Sequence, residues 1–579
     1  MSVNPSPILP SSRPTKLPKG SAFWLSFLAI VVCNVLSALD VTAVSTTLPT
    51  IVHDLNGDND FVWVGAAYGL ASTAMLPCCG RLADVFGRRP VMLLSVAFFF
   101  LGSALSGAAQ DMSMLIAART IQGIGGGGIT NMCSIIVSDL VPLVERGAYQ
   151  GMIVLSWALA AALGPIVGGS LAQRASWRWL FYINLPLGGI AFVLVAIFLR
   201  VRTPPGSFKE KLGRVDWIGN AIVVAGTTLA LVALTWGGVT YEWSSVHVLL
   251  PLIIGAGLIT SFFLYEAIIP PEPTVPLDII KNRTSLGGYL ETFFHGIVSI
   301  AVIYYLPVYF QACKLSSPIA SAVKVFPLAI FSPTFSMLSG VLVKKLNKYR
   351  PVNYFGWVII IIGFALMTTI DVDSSTGEWA GYQALLAAGS GTIWATTLFP
   401  ILAPLSVTRA AAALAFYNFI RTFAQARLMH INLTTWGVTI SAAILQNELK
   451  RRLPAAFLQQ FPDGVEIAYA IIPLIPNLEE PLHSEVRKAF AKSMATIWKA
   501  LAGISAAGFV ATFLLREVPM QTYTDEKFGL EGQRERQGGA LSRIETGRDV
   551  EAEGQDAKRV SKGEVELQDV GTSGIVHLE

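Results

Sequence analysis

Charge is scarce in this chain of 579 residues: Asp, Glu, Lys and Arg together make up 14%, where a soluble domain carries about 25%. The signs nearly balance, 42 basic against 38 acidic residues for a formal charge of +4, and the basic residues gather in particular loops. That pattern excludes the continuous basic surface of a nucleic-acid binder. Cysteine is sparse as well. Cys33, Cys78, Cys79, Cys133 and Cys313 fall in or beside apolar stretches without framework or ligand spacing, which excludes a disulfide scaffold and a zinc site and leaves packing as their role. No nucleophile-base pair or metal cluster marks an enzyme. The glycines of Gly123–Gly128 lack the Lys-Ser/Thr ending of a phosphate loop and lie inside an apolar run.

Apolar residues fill the space that charge leaves: 53% of the chain is hydrophobic and the mean hydropathy is +0.56. This composition belongs in a bilayer. Since a helix needs roughly 20 apolar residues to cross, spanners are expected at 22–50, 61–79, 90–109, 113–138, 149–172 and 179–199, then 215–236 and 246–266. Six more follow at 286–311, 320–343, 353–370, 380–403, 412–446 and 497–515, for a total of fourteen. The first run is too long for a signal-peptide core and is expected to be retained.

Loop charge orients these spanners. With an internal N-terminus, the inner loops carry Arg81, Arg88 and Arg89, then Arg200, Arg202, Lys209, Lys211 and Arg214, then Lys281 and Arg283, then Lys344, Lys345, Lys348 and Arg350. The outer loops 52–60, 237–245 and 371–379 carry no Lys or Arg. The stretch 447–496, outside by this count, holds Lys450, Arg451 and Arg452, but its length weakens the rule there.

Several segments point further. Gly80-Arg81-Leu82-Ala83-Asp84-Val85-Phe86-Gly87-Arg88-Arg89 joins the second and third spanners, and Gly340–Arg350 occupies the matching place in the last six, like a degraded copy. Leu39-Asp40-Val41-Thr42 lies in the first spanner, Arg119-Thr120-Ile121-Gln122-Gly123 in the fourth, Gly164-Pro165-Ile166-Val167-Gly168-Gly169 in the fifth and Trp177-Arg178-Trp179-Leu180-Phe181-Tyr182-Ile183-Asn184-Leu185-Pro186 at the sixth. Over roughly 22–515 the chain resembles the fourteen-spanner drug:proton antiporters of the major facilitator superfamily, in particular fungal toxin and multidrug efflux pumps.

The resemblance implies an all-α membrane protein with the major facilitator fold. Its parts would be a cytoplasmic tail (1–21), a six-helix bundle (22–199), a linker with two extra spanners (200–285), a second bundle (286–515, with the outer loop 447–496) and a cytoplasmic tail (516–579). Composition reads both tails as disordered. A pseudo-twofold axis along the membrane normal would relate the bundles, with the substrate between them. The resemblance further implies a functional monomer that works without a cofactor, exports small amphipathic compounds against protons and sits in the plasma membrane, or alternatively the vacuolar membrane. Siderophore uptake or vacuolar import of basic amino acids uses related chains, and a non-transporting membrane sensor is the alternative from another class.

Candidate working residues follow from burial in the bilayer. An ionised Asp40 in an apolar helix costs roughly 2.5–3.5 kcal/mol on insertion scales, so a proton-carrying role is expected. Arg119, at similar depth when about 1.5 Å is counted per residue, is its expected partner; a static ion pair is the alternative. Glu291 and His295 share a helix face and can relay protons or bind a cation, or Glu291 can simply reach the headgroups. Gly80, Asp84, Gly87, Arg88 and Arg89 are read as an inner gate, with positive-inside anchoring as the alternative for the arginines. Gly164, Pro165, Gly168 and Gly169 permit bending or close packing, and the resemblance associates them with export. Asp216 reads as a helix cap. The stretch 426–434, with Arg427, His430 and Asn432 in an over-long spanner, is read as a gene-model artefact or a polar kink.

Overall fold

The computed structural model describes residues 19–55, 62–236, 241, 244–425, 436–461 and 467–523. No strand occurs among them, and the long helices follow the apolar runs in order. They are α1 (Ser21–Leu55), α2 (Val62–Phe86), α3 (Arg88–Gly107), α4 (Met112–Leu140), α5 (Leu143–Arg174), α6 (Arg178–Phe198, broken at Ile183), α7 (Trp217–Trp236) and α8 (Val246–Ile268). The second half gives α9 (Arg283–Lys314), α10 (Phe326–Leu346), α11 (Arg350–Met367), α12 (Thr376–Leu402, broken at Thr397), α13 (Ala410–Gln425), α14 (Trp436–Arg452) and α15 (Leu482–Ala511).

Ten of the described helices are long and apolar enough to cross a bilayer, and α7 adds a shorter apolar stretch. The helices α2, α4, α13 and α14 are not among the ten. For α4 the packing explains this: from Gly125 to Leu140 every residue except Thr130 is buried by protein, so this helix needs little lipid-soluble surface. Its glycines let it lie directly against the backbones of α2 and α3. The opposite case is α8, whose most apolar window is only 17% buried and presents the rest outward.

Helices α1 to α6 pack as one bundle and α9 to α15 as another. The pair α7 and α8 forms a hairpin in which α7 leans on α2. Between the bundles, α2 packs on α13 and α5 packs on α10. These pairings exchange under a twofold relation between the bundles, as expected of repeated halves.

Helix limits depart from the apolar runs where polar turns extend a helix past the hydrocarbon. The last helix begins at Leu482 rather than near 497, because Glu485, Arg487, Lys488 and Lys492 form an amphipathic entry. The long loop before it is partly helical, with Arg451 and Arg452 both paired to Glu448 at the end of α14. The questioned stretch 426–434 lies outside the described residues, as do most of both tails.

Candidate functional site

Asp40 lies in the middle of α1 with about 1% of its surface exposed. Arg119 of α4 donates from Nη1 to its Oδ2 at 2.6 Å. Gln122, one turn on, donates from Nε2 to Oδ1 at 2.9 Å, and Asn184 of α6 donates to the same oxygen at 2.8 Å. Three helices thus meet on one carboxylate. Arg119 is held in place by Val64 O at 3.0 Å and Gln122 Oε1 at 2.6 Å, and its guanidinium lies 4.6 Å from the centre of the Tyr68 ring. A buried charge persists only when paired and hydrogen-bonded in this way. Gln122 also donates to Ser103 Oγ at 2.8 Å, so its amide links Asp40 to α3.

The basic loops gather at the end of α1 that begins at Ser21, the basic end of the bundles. There Gly87 takes φ 97°, a left-handed conformation that favours glycine, and so breaks the chain between α2 and α3. The turn brings Arg88 back onto Asp84 at 2.8 Å and onto Asp139, at the end of α4, at 2.7 Å. Arg88 and Asp139 are both buried. The latch therefore ties α2, α3 and α4 within the first bundle. Arg89 donates to Ala196 O of α6, and Arg81 to Glu272 and to Arg214 O.

Contacts between bundles at this end use other residues. A Cβ on Gly80 would stand 2.5 Å from Ala415 Cβ, and one on Gly147 would stand 2.6 Å from Gly340 Cα. Glu145 of α5 bridges Lys19 at 2.7 Å and Lys344 of α10 at 3.0 Å. One level further in, Asn418 donates to Asn131 Oδ1 at 2.9 Å. The two bundles are closed against each other at the basic end. Asn347, as far from Gly340 as Gly87 is from Gly80, also takes a positive φ, 51°, where α10 ends, though with ψ 30° against 160° at Gly87.

Comparison with known proteins agrees with this architecture. The sequence profile described as Major Facilitator Superfamily matches residues 30–426. The chain belongs to that superfamily. It is 38% identical over 531 residues to the efflux pump FUS6 of Gibberella fujikuroi, covering 90% of this chain and 93% of that protein. It is 36% identical over 523 residues to the acurin A biosynthesis cluster MFS-type transporter of Aspergillus aculeatus, covering 89% and 92%. The solved proton:xylose symporter XylE aligns with a TM-score of 0.53 at 14% identity, over 87% of this chain and 98% of that one, a likeness of fold alone. As a member of this superfamily the chain is a multi-pass membrane protein that handles small-molecule substrates.

In this major facilitator chain the fifth-spanner segment packs on α1. Gly164 sits where a Cβ would collide with Thr42 Oγ1 and approach Ala43 N at 3.0 Å. Gly168 is buried, whereas a Cβ on Gly169 would meet nothing within 4 Å. The helix runs unbroken through Pro165, whose side chain is outside the described residues.

Glu291 and His295 share a buried face of α9 and both meet Trp357 of α11, but their other partners differ. Glu291, with 0% exposure, does not reach the headgroups. It accepts from Asn353 at 3.0 Å, Trp357 Nε1 at 3.3 Å and Thr512 at 2.8 Å, on and beside α11 and α15. His295 Nε2 meets Ser390 Oγ of α12 at 2.9 Å, and its ring stands edge-on to Trp394.

Sequence reasoning assigned no role to Gln122, Asn184, Asp139, Glu145 or Arg421. Gln122 and Asn184 lay inside quoted segments, yet an amide in a helix does not announce which neighbour it faces. Asp216 does cap its helix, accepting from Gly219 N at 2.9 Å.

Proposed function

We propose that this major facilitator exports small amphipathic organic compounds in exchange for protons, with Asp40 as the group that takes up and releases the proton. The observation that carries the reading is the donor set on Asp40: a buried carboxylate joined to Arg119, Gln122 and Asn184 from two other helices. Protonation of Asp40 removes the charge that holds Arg119. The guanidinium then keeps Val64 O and Gln122 Oε1, while the neutral carboxyl accepts from Gln122 and Asn184 more weakly, so that α1 is held less firmly to α4 and α6. A proton binding event is thereby converted into freedom for one helix to move against its bundle, which biases a two-state equilibrium as alternating access requires.

With the basic end taken as cytoplasmic, the arrangement described is closed inward. Glu145 with Lys344, the glycine approaches and the Asn131–Asn418 bond would part when the inner path opens. The Arg88–Asp84–Asp139 latch would hold the ends of α2, α3 and α4 together as one lever. The naming of the relatives as efflux pumps and of one as part of a biosynthesis cluster supports outward movement of a secondary metabolite. The proton gradient is the energy source, the monomer is the working unit and the plasma membrane is the site.

Transport in inside-out vesicles tests this reading. An imposed inside-acid gradient should drive accumulation of a panel member among lipophilic cations, fungal metabolites, siderophores and basic amino acids, and nigericin should abolish it. Accumulation that persists after nigericin would overturn proton coupling; accumulation of siderophores or basic amino acids alone would overturn the substrate class.

A further inference from the structure

Arg119 of α4 and Arg421 of α13 are both buried within helices, one in each bundle, and their surroundings differ. Arg119 meets Asp40. Arg421 of α13, about 5% exposed, forms no ion pair with any described carboxylate. Its Nη2 donates to Trp394 O at 3.2 Å and Thr397 Oγ1 at 3.4 Å, while Nε has no acceptor among the described residues. The neighbouring residues 426–435 contain no Asp or Glu, and Glu291 is turned to Asn353, Trp357 and Thr512. A carbonyl, a hydroxyl and two ring faces offset part of the cost of burying this guanidinium, but none of them neutralises its charge, which an anion would.

The groups around it form a recognition surface. The Arg421 guanidinium lies 4.1 Å from the Trp394 ring centre and 4.6 Å from that of Tyr417. Trp394 also meets the edge of His295, whose Nδ1 is buried without a partner. When Nε2 accepts from Ser390, Nδ1 carries the proton and can donate. Arg421 stands one turn beyond Asn418, which bonds to Asn131 of the first bundle, and about 16 Å along α13 from the basic end. That places it near mid-membrane beside the seam between the bundles.

We propose that Arg421 and His295 bind the anionic head, a carboxylate or an enolate, of an amphipathic organic acid, with Trp394 and Tyr417 against its apolar body. The proposal rests on reading the chain as an exporter of amphipathic compounds, and it names the charge of the substrate. Arg421 supplies the fixed charge and a planar donor pair suited to such an oxyanion; the two aromatic rings keep water away from it.

Equilibrium binding of 1-naphthaleneacetate and of the uncharged 1-naphthaleneacetamide to the full chain in nanodiscs tests this, read by tryptophan fluorescence. The acid should bind saturably and at least tenfold more tightly than the amide. Arg421→Gln should erase that preference while Arg421→Lys retains most of it, a split that a merely structural arginine would not produce. Equal affinities for the two probes, no saturable binding of the acid, or an unchanged preference in Arg421→Gln would each overturn the proposal. Because binding is read at equilibrium without a proton gradient, its outcome is separate from that of the vesicle transport experiment.

Discussion

Gly147 of α5 and Gly340 of α10 bring two helix backbones from opposite bundles together so closely that a Cβ on Gly147 would stand 2.6 Å from Gly340 Cα. Neither side can yield by turning a side chain, since both partners are main chain. The contact closes the basic end, with Lys344 and Glu145 beside it at 3.0 Å.

Gly340→Val is therefore expected to hold the bundles apart at that end and to reduce transport at least tenfold without loss of the folded protein. Distances between spin labels on the ends of α5 and α10 would lengthen; distances unchanged from wild type would contradict the assignment of this contact as the closing one.

The latch at Arg88 is expected to contribute to stability through burial. Asp139→Ala takes from the buried Arg88 one of the two carboxylates it pairs with and should cost about 3 kcal/mol, as for removal of one partner of a buried pair. Arg214→Ala removes a pair in which both side chains are over 40% exposed, and should cost about 1 kcal/mol at most. Comparing thermal unfolding midpoints of the two variants in detergent checks the order.

Along the fifth-spanner segment, two substitutions of the same kind should part company. Gly164→Ala drives a methyl group into Thr42 and toward Ala43 N, displacing α1 beside Asp40, whereas Gly169→Ala enters open space. Transport should fall severalfold in the first and remain near wild type in the second; similar rates in initial-uptake assays would show that contact with α1 is not what this segment supplies.

The ion pair of Asp40 and Arg119 was legible because both residues interrupt apolar runs and because the direction of each spanner sets their depth. Its amide partners were not, since Gln122 and Asn184 face the carboxylate only through the rotation of α4 and α6, which packing decides. Asp139 was hidden for a different reason: an acid at the end of an apolar run is ordinarily solvated, and only the Gly87 turn folds Arg88 over it. Glu145 and Lys344 lie 199 positions apart, so their contact depends on how the two bundles meet. That Glu291 and His295 share one face of α9 follows from their spacing, yet which groups each meets on α11, α12 and beside α15 comes from tertiary packing.

The most direct measurement is proton release, followed with a pH dye, from acid-loaded inside-out vesicles containing either the wild-type chain or Asp40→Asn in equal, correctly inserted amounts. Asparagine keeps the size and much of the hydrogen bonding of aspartate but cannot carry the proton. Substrate-evoked release in wild type and none in Asp40→Asn is the predicted result; equal release in both would contradict Asp40 as the site of coupling.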